Sequence, residues 1–427
     1  MKLNENCHLR DSGYSNFKTS ADLPRHRWYY FKEGFSPLLV QEAINDSECS
    51  SKDLIIDPFV GSGTVSVVAA LSGVPSVGFE VNPFLAFLSK AKLQQCAPDL
   101  VDRWCSKLHQ EIEKGEKSEL EGFSTFSWSC GLDKWLFNRG VLRAFRGGWQ
   151  STLDIPTPVA ELFRLALMGA ALDTCNATRD GKCLRYRKNW RQLKFDGKDF
   201  LSAFDKRIEV IRNDLEKCPI KGGISKVLRA DIRGALQKGL SRLFKLCVTS
   251  PPYLNSFDYS DVYRPELFLG GFVKNNKDLR RVRLQTVRSH VQIKWEPPTM
   301  TTFGPLYNEA VARIREHKNL LWDHRLLTMI QAYFEDISGV LKNLRTFAQS
   351  DASLWLIVST SAYAGVEIPV DLIIADIGVQ VGWSLREVDV LRHLRSSGQC
   401  LNIACRDSDN TLRLRESVVI LDAQPKK

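Results

Sequence analysis

The sequence lacks the patterns of disulfide, zinc and membrane proteins. It has 11 cysteines but no CxxC pair, and their odd number argues against a secreted disulfide framework. Its 7 histidines form no HExxH motif, so no bound metal is expected. No run of about 18 apolar residues could span a membrane, and the polar segment 1–13 lacks the apolar core of a signal peptide. These absences predict a reduced, cytoplasmic protein without a membrane or metal partner.

Glycine and proline, at 27 and 17 of 427 residues, are too few for a collagen-like or wholly disordered chain. A chain of this length can bury a large core without disulfide or metal staples. Lysine and arginine outnumber aspartate and glutamate by 59 to 49, which gives a net charge of +10. An excess of this size favours a polyanionic partner.

Short apolar runs followed by turn residues predict a parallel α/β sheet. Two of them, 54–57 and 76–80, flank a small-residue helix over 64–73, and strand, glycine turn, helix and strand in this order form a βαβ unit. Similar runs predict further strands at 244–249, 353–359 and 416–421, and a mostly helical stretch over 307–344.

Two segments interrupt this alternation. Residues 96–225 are far longer than a crossover needs, so we expect an inserted, mostly helical subdomain between 1–95 and 226–427, with a strand resuming at 226–230. The second interruption, about 271–305, carries a strongly basic stretch over 274–294.

The first chemical motif is the turn Asp57-Pro-Phe-Val-Gly-Ser-Gly-Thr64 at the end of the first strand. It is no nicotinamide fingerprint, because Ser66 stands where the third glycine belongs, and no phosphate loop, because no lysine follows the glycines. An acid before the turn favours a ligand with an ammonium group, such as S-adenosylmethionine. Glu80, at the end of the next strand, is placed to accept both hydroxyls of a ribose.

The second motif is Thr249-Ser-Pro-Pro-Tyr253, directly after the strand 244–249. Two consecutive prolines make a rigid, extended turn. Ser250 and the Pro251 carbonyl could accept hydrogen bonds from an amino group, and Tyr253 offers a face for stacking a planar ring. A serine hydroxyl could also donate to the ring nitrogen beside that amino group.

Together the two motifs resemble those of the amino-group DNA methyltransferases, which share a DPFxGSGT cofactor loop and an SPPY catalytic turn. The segments 26–31 and 35–40 look like the leading helix region that closes over the methionine part of the cofactor, and Asp231 is similar to the acid that receives the adenine amino group. The resemblance covers roughly 20–95 and 226–427. It implies a Rossmann-like S-adenosylmethionine-dependent methyltransferase sheet with a large helical insertion. The implied cofactor-binding residues are Phe31, Phe35, Asp57, Phe59, Gly61, Gly63, Thr64, Glu80 and Asp231, and the implied catalytic residues are Ser250, Pro251, Pro252 and Tyr253.

The motif order departs from many family members, in which SPPY precedes the cofactor loop. Ser250, in place of aspartate or asparagine, resembles the enzymes that methylate N4 of cytosine, while N6 of adenine stays open. A C5-cytosine mechanism is disfavoured, because it needs a cysteine nucleophile after a proline and Cys218 instead precedes Pro219. The target base, stacked inside a duplex, would have to flip out.

Double-stranded DNA is the expected partner, and two basic stretches are candidates to contact it. Residues 179–194 interleave cations with aromatic rings, and 274–294 follows the catalytic turn. The candidate contacts are Arg185, Tyr186, Arg187, Lys188, Trp190, Arg280 and Arg281. A restriction or defence-system partner is possible by the same resemblance. The alternatives are an RNA amino-group methyltransferase and a non-catalytic nucleic-acid-binding subunit.

Overall fold

The computed structural model describes residue 14 and residues 20–180, 183–394 and 414–423. Its strands are β1 (Ile55–Asp57), β2 (Ser76–Glu80), β3 (Ala177–Asp180), β4 (Cys183–Tyr186), β5 (Ser225–Arg229), β6 (Phe244–Thr249), β7 (Ala348–Ser359), β8 (Ser361–Tyr363), β9 (Val366–Ile368), β10 (Trp383–His393) and β11 (Arg415–Ala423). Its α-helices are α1 (Pro37–Asp46), α2 (Thr64–Leu71), α3 (Pro83–Lys92), α4 (Pro98–Lys114), α5 (Arg139–Ser151), α6 (Thr157–Asp173), α7 (Trp190–Leu193), α8 (Gly197–Lys217), α9 (Ile232–Gly239), α10 (Tyr259–Val262), α11 (Arg264–Leu269), α12 (Asn276–Gln285), α13 (Pro305–Glu316), α14 (Leu326–Phe347) and α15 (Val370–Gln380). Single 3₁₀ turns occupy His26–Trp28, Thr152–Asp154 and Lys318–Leu320.

The central sheet has seven strands in the order β10-β11-β7-β6-β1-β2-β5. β11 runs antiparallel to both of its neighbours, and the remaining pairs are parallel. The chain builds outward from β1 to β2 and β5, and then returns to the other side of β1 with β6 and β7. The strand order therefore reverses between β1 and β6, and open α/β sheets bind ligands at the carboxyl ends of the strands at such a reversal. The predicted α/β sheet is confirmed.

Helices cover both faces of the sheet, which is why its central strands are continuous apolar runs. Ile55 of β1 packs in one core with α1 and α2, whereas the next residue, Ile56, packs in the opposite core with α14 and α15. Both side chains are fully buried. This two-sided burial holds the β1 terminus, and with it the glycine turn that follows, in a fixed position.

The segment between α3 and β5 is mostly helical, as expected. α4, α5, α6 and α8 pack around a core of their own that includes Leu108, Phe145, Phe163 and Phe204. The same core extends to α3 and to α11, so the insertion rests on elements that flank the cofactor loop and the catalytic turn. The sequence did not predict the β3–β4 hairpin, whose register pairs Ala177 with Tyr186.

The helical stretch expected over 307–344 is two helices rather than one. α13 ends at Glu316 and α14 begins at Leu326, because the polar run from Glu316 to Asn319 breaks the apolar periodicity between them. In the second interruption of the sequence, α12 precedes a stretch without helix or strand over 286–304. Across the described ranges, every helix is too short or too polar to cross a membrane.

Candidate active site

A cavity of about 300 Å³ lies at the carboxyl ends of β1, β2, β5 and β6. It brings together the N-terminal aromatic segment, the glycine turn, the ends of β2 and β5, and the Ser-Pro-Pro-Tyr turn. Its lining includes Phe31, Phe35, Phe59, Gly61, Thr64, Glu80, Asn82, Asp231, Ser250, Pro251, Pro252 and Tyr253. Most residues that the sequence assigned to a cofactor or to catalysis therefore border one space.

The glycine turn needs glycine for two separate reasons. Gly61 and Gly63 have φ values of +52° and +84°, in the left-handed region that other residues rarely adopt. A Cβ on Gly63 would also lie 3.0 Å from the Ser89 side chain. Ser89 Oγ donates a hydrogen bond of 2.9 Å to the Gly61 carbonyl, so α3 is bound directly to the glycine turn.

Asp57 connects the two motifs instead of lining the cavity. Its carboxylate accepts hydrogen bonds from the Phe59 amide, at 3.0 Å, and from Thr249 Oγ1, at 2.7 Å. The side chain is 2% exposed, and this burial raises its pKa to about 7. Because Thr249 directly precedes the catalytic turn, Asp57 fixes the cofactor loop and the catalytic turn relative to each other.

Glu80 lies beside the glycine turn and faces the cavity. Its carboxylate accepts from the Gly61 amide at 2.9 Å and from the Asn82 amide at 2.8 Å. Burial raises the pKa of Glu80 to about 7. Asn82 caps α3 through its side-chain oxygen, while its amide nitrogen Nδ2 is buried without a hydrogen-bond partner. The Glu80 carboxylate, which can accept hydrogen bonds, and Asn82 Nδ2, a donor without a partner, thus lie together at the end of β2.

The N-terminal aromatic segment forms one wall of the cavity. A Cβ on Gly61 would lie 3.4 Å from the Phe31 ring, so this ring covers the glycine turn. Phe31 stacks on Tyr263 with ring centroids 5.6 Å apart. The Tyr263 hydroxyl donates to Glu33 at 2.5 Å, and Phe35 borders the same space. Tyr263, the residue between α10 and α11, therefore positions the segment, a role that its sequence did not reveal.

Asp231 follows β5 and caps α9 by accepting from the Arg233 amide at 3.0 Å. The Arg233 guanidinium also binds the Asp231 carboxylate through two nitrogens, with a shortest distance of 2.7 Å, and reaches Asp336 at 3.0 Å. This ion pair compensates the Asp231 charge and fixes the carboxylate orientation at the cavity edge. No sequence motif indicated Arg233 or its second partner, Asp336.

In the catalytic turn, the Ser250 hydroxyl is already committed as a donor. Its Oγ lies 3.1 Å from the Ile357 carbonyl, which can only accept, so the hydroxyl hydrogen points toward β7. The lone pairs of Oγ remain able to accept a hydrogen bond. Donation from Ser250 to a ring nitrogen, the other role expected from the sequence, would require this hydroxyl to rotate away from the Ile357 carbonyl.

Tyr253 is held by a charged pair at the start of β11. Its hydroxyl donates to Glu416 Oε1 at 2.6 Å, and the Arg392 guanidinium lies 2.8 Å from the other oxygen of Glu416. Burial, together with the neighbouring Glu416, raises the pKa of the Tyr253 phenol well above its ordinary value. The ring is thus neutral and oriented by residues that sequence reasoning missed, because they lie far along the chain.

The basic stretch of the insertion divides into exposed and packed side chains. Arg185 and Lys188 are exposed. Arg187 donates to the carbonyls of Cys175, at 2.8 Å, and Asp173 at the end of α6. Trp190 is 8% exposed, with Tyr186 and Trp135 packed against its ring, so stacking on a base would require it to leave this cluster.

The second basic stretch borders a separate surface groove of about 600 Å³. Arg264, Arg280, Arg283 and Lys294 line it. Arg281 is exposed and lies 3.2 Å from Asp278 on the same helix. Within the described parts of the chain, no three histidine, cysteine or acidic side chains are grouped to hold a metal ion.

The chain is similar to several known methyltransferases. Residues 9–90 match the N6_N4_Mtase family model, described as DNA methylase. The chain is 25% identical to the type II methyltransferase M.BsoBI of Geobacillus stearothermophilus, over 90% of this chain and 83% of that protein. It is 22% identical to the type II methyltransferase M.MvaI of Kocuria varians, over 88% of this chain and 85% of that protein. The solved rRNA methyltransferase aviRa of Streptomyces viridochromogenes aligns over 91% of this chain and 85% of its own, at 11% identity and a TM-score of only 0.32.

The cavity fits the cofactor that these matches imply, S-adenosylmethionine. The glycine turn leaves room for close approach, Glu80 offers carboxylate oxygens, and Asn82 Nδ2 is a buried donor without a partner. The family match and the relatives support a DNA methyltransferase with S-adenosylmethionine as its cofactor.

Proposed function

We propose that this chain is a site-specific methyltransferase of double-stranded DNA that modifies the exocyclic N4 of a flipped cytosine. The observation that carries the proposal is the hydrogen bond from Ser250 to the Ile357 carbonyl, which leaves Ser250 Oγ as an acceptor at the cavity wall. An acceptor is what an exocyclic amino group, with its two hydrogens, requires. The choice of cytosine over adenine is supported by the resemblance of residues 249–253 to the turn of N4-cytosine enzymes.

The reaction requires the amine to become a better nucleophile, because its lone pair is conjugated with the ring. Ser250 Oγ and the Pro251 carbonyl would accept the two amino hydrogens and favour a pyramidal nitrogen, and both residues line the cavity. When bound, S-adenosylmethionine supplies an electrophilic methyl group on its sulfonium. The N–CH3 bond forms as the S–CH3 bond breaks, sulfur keeps the electron pair of the broken bond, and one amino proton passes to water. The protein contributes mainly by positioning and by electrostatic stabilisation.

Tyr253 would stack on the flipped base. Removing a base from the duplex costs a few kcal/mol, and an aromatic face offsets part of this loss. Because Glu416 holds the Tyr253 hydroxyl, the ring needs little reordering when the base arrives. A ring fixed in advance lowers the entropy cost of binding.

For the cofactor, we propose that Glu80 binds the ribose hydroxyls and that Asp231 binds the adenine amino group. Phe31 and Phe35 would close over the methionine part, since both border the cavity next to the glycine turn. Asp57 would act indirectly, by holding the turn in place through Thr249.

For DNA, we propose phosphate contacts from Arg185 and Lys188 of the insertion and from Arg280 and Arg281 of α12. The first two are exposed, and Arg280 lines the basic groove. The names of the relatives are those of type II enzymes, so a restriction endonuclease with the same recognition sequence is part of this proposal.

Mass spectrometry of nucleosides from DNA treated with the purified protein tests the proposal. N4-methylcytosine is the expected product, whereas N6-methyladenine without N4-methylcytosine would reassign the base. Ser250→Ala should lower kcat by roughly tenfold or more while S-adenosylmethionine binds normally, because the contact is made mainly in the transition state. Ser256→Ala, in the same loop but outside the described cavity lining, is the matched control.

A further inference from the structure

A second, smaller cavity of about 50 Å³ adjoins the candidate active site. The two cavities share five lining residues, Phe31, Gly34, Phe35, Ser62 and Thr64. The small cavity therefore opens where the aromatic segment meets the start of α2. The small cavity is also bordered by His26, Arg27 and Lys92, none of which has a role in the reaction described above.

Lys92 is the unusual member of this group. It is the last residue of α3 and is only 2% exposed. The structure records no hydrogen bond or ion pair between its ammonium and another described side chain, and burying an unpaired ammonium is costly. Ser89, three residues earlier on the same helix face, bonds the Gly61 carbonyl. Lys92 and Ser89 therefore lie on the same face of α3, the face that contacts the glycine turn.

The other titratable groups around the small cavity are already paired or neutral. Arg27 binds Asp214 through two nitrogens, with a shortest distance of 2.5 Å. Burial, and next the charge of Lys92, lowers the pKa of His26 to about 3, so its ring is uncharged at neutral pH. The Tyr29 hydroxyl is bound by Glu266. Lys92 is therefore the cation that an incoming anion would meet here.

We propose that Lys92 binds the carboxylate of the amino-acid part of S-adenosylmethionine. This proposal rests on the function proposed above for the larger cavity. Glu80 and Asp231 stand at the ends of β2 and β5, the side assigned to the nucleoside. The methionine part then extends toward Thr64 and Phe35, and the small cavity opens beside these two residues. A carboxylate is small enough for a space of this size, and an ammonium is a suitable point-charge partner for it.

The acid–base state of Lys92 is consistent with this role. Burial lowers the pKa of its ammonium to about 7. A carboxylate beside it would favour the charged form and raise this pKa again. Binding of the cofactor at about pH 8 should then take up protons, and calorimetry in buffers of different ionisation enthalpy detects such an uptake.

The test compares S-adenosylmethionine with its decarboxylated analogue, S-adenosyl-3-methylthiopropylamine, by calorimetry on the full chain. Wild-type protein should bind the analogue at least about tenfold more weakly than the cofactor, which is a loss typical of one charge-assisted contact. Lys92→Met should bind both ligands about equally and take up clearly fewer protons than wild type, in which Lys92 adds to the protons exchanged by Glu80 and by the amino group of the ligand. Lys90→Met, which removes an exposed lysine from the same helix, should keep the wild-type preference.

Equal binding of the two ligands by wild-type protein, or an unchanged preference in Lys92→Met, would overturn the assignment of Lys92. If acetate instead protects wild-type but not Lys92→Met from heat while both ligands bind equally, the cavity takes a free anion and the assignment to the cofactor is also overturned. Absence of binding of either ligand to wild-type protein would instead contradict the proposed function. Methionine is similar in length and apolar, so thermal unfolding of Lys92→Met should show a folded protein at least as stable as wild type.

Discussion

Asp57 is the residue whose buried charge should affect the pH dependence of protein stability most clearly. Its carboxyl is buried and is bound by Thr249 and by the Phe59 amide. Asparagine has nearly the same shape, and its side-chain oxygen can accept both of these hydrogen bonds. Asp57→Asn therefore removes the titrating charge and keeps the geometry, apart from a buried amide nitrogen whose cost does not depend on pH.

The magnitude follows from the pKa of Asp57, which burial raises from 3.8 to about 7. Because the pKa of Asp57 is higher in the folded than in the unfolded protein, the folded protein is most stable when Asp57 is protonated. This stabilisation is fully present below about pH 4 and is lost as the pH rises through about 7. A shift of about three units corresponds to about 4 kcal/mol at high pH, and the part already lost at about pH 5.5 is about 2 kcal/mol. The stability of Asp57→Asn relative to wild type should therefore increase by about 2 kcal/mol between about pH 5.5 and 8.5. Loss of the Asp57 charge also relieves Glu80, which acts in the same direction.

Urea unfolding of both proteins at the two pH values measures this difference. Asp53→Asn is the control, because the pKa of Asp53 is shifted in the opposite direction: burial would raise it, but hydrogen bonds from Ser50 and the nearby Lys245 lower it. Asp53 is ionised in both the folded and the unfolded chain throughout this pH range, so its replacement should have a pH-independent effect. If the stability difference for Asp57→Asn were equally constant, the carboxyl would not be desolvated in the folded protein, and the reasoning would be refuted.

Two further perturbations test the cofactor turn and the DNA surface. Gly63→Ala should lower the free energy of unfolding by about 1–3 kcal/mol and weaken binding of S-adenosylmethionine, because it combines a positive φ with a clash against Ser89. Gly73 is the control, since it also has a positive φ but a Cβ there would have no atom within 4 Å. An equal loss of stability in Gly63→Ala and Gly73→Ala would exclude the clash. Arg280→Gln should reduce the slope of log affinity for DNA against log salt by roughly one unit, whereas Arg315→Gln, at an exposed position of α13, should leave the slope unchanged. No difference between these two variants would remove Arg280 from the DNA contacts.

The sequence predicted those elements whose signals are local. β1, β2 and β6 are apolar runs ended by glycine or proline turns, so their type and position could be recognised from a few residues. β10 was missed, because it pairs on one side only and leaves polar side chains such as Arg386 and Glu387 exposed or half-buried, which disguises its periodicity. The break between α13 and α14 was missed for the opposite reason: Leu320 and Leu321, which lie inside the break, continued an apparently helical pattern.

In the candidate site, the motifs indicated which residues matter but not how each one acts. Asp57 was expected to face a ligand, and its hydrogen bond from Thr249, which lies 192 positions away, could not be foreseen. Glu416 holds the Tyr253 hydroxyl across 163 positions. Contacts between such distant residues depend on the strand order of the sheet, which places β11 beside β7 and β7 beside β6. No local pattern records that order.

Three buried groups around the glycine turn share one physical property. Burial raises the pKa of Asp57 and of Glu80 to about 7 and lowers that of Lys92 to about 7, so all three are near the boundary between charged and neutral forms. Two acids and one base held in this state respond strongly to a ligand that carries both signs of charge. A sulfonium and an ammonium favour the ionised acids, and a carboxylate favours the ionised lysine. In the binding mode proposed above, such a zwitterionic cation would offset the desolvation that destabilises the free protein, and an uncharged nucleoside of similar shape would offset much less of it.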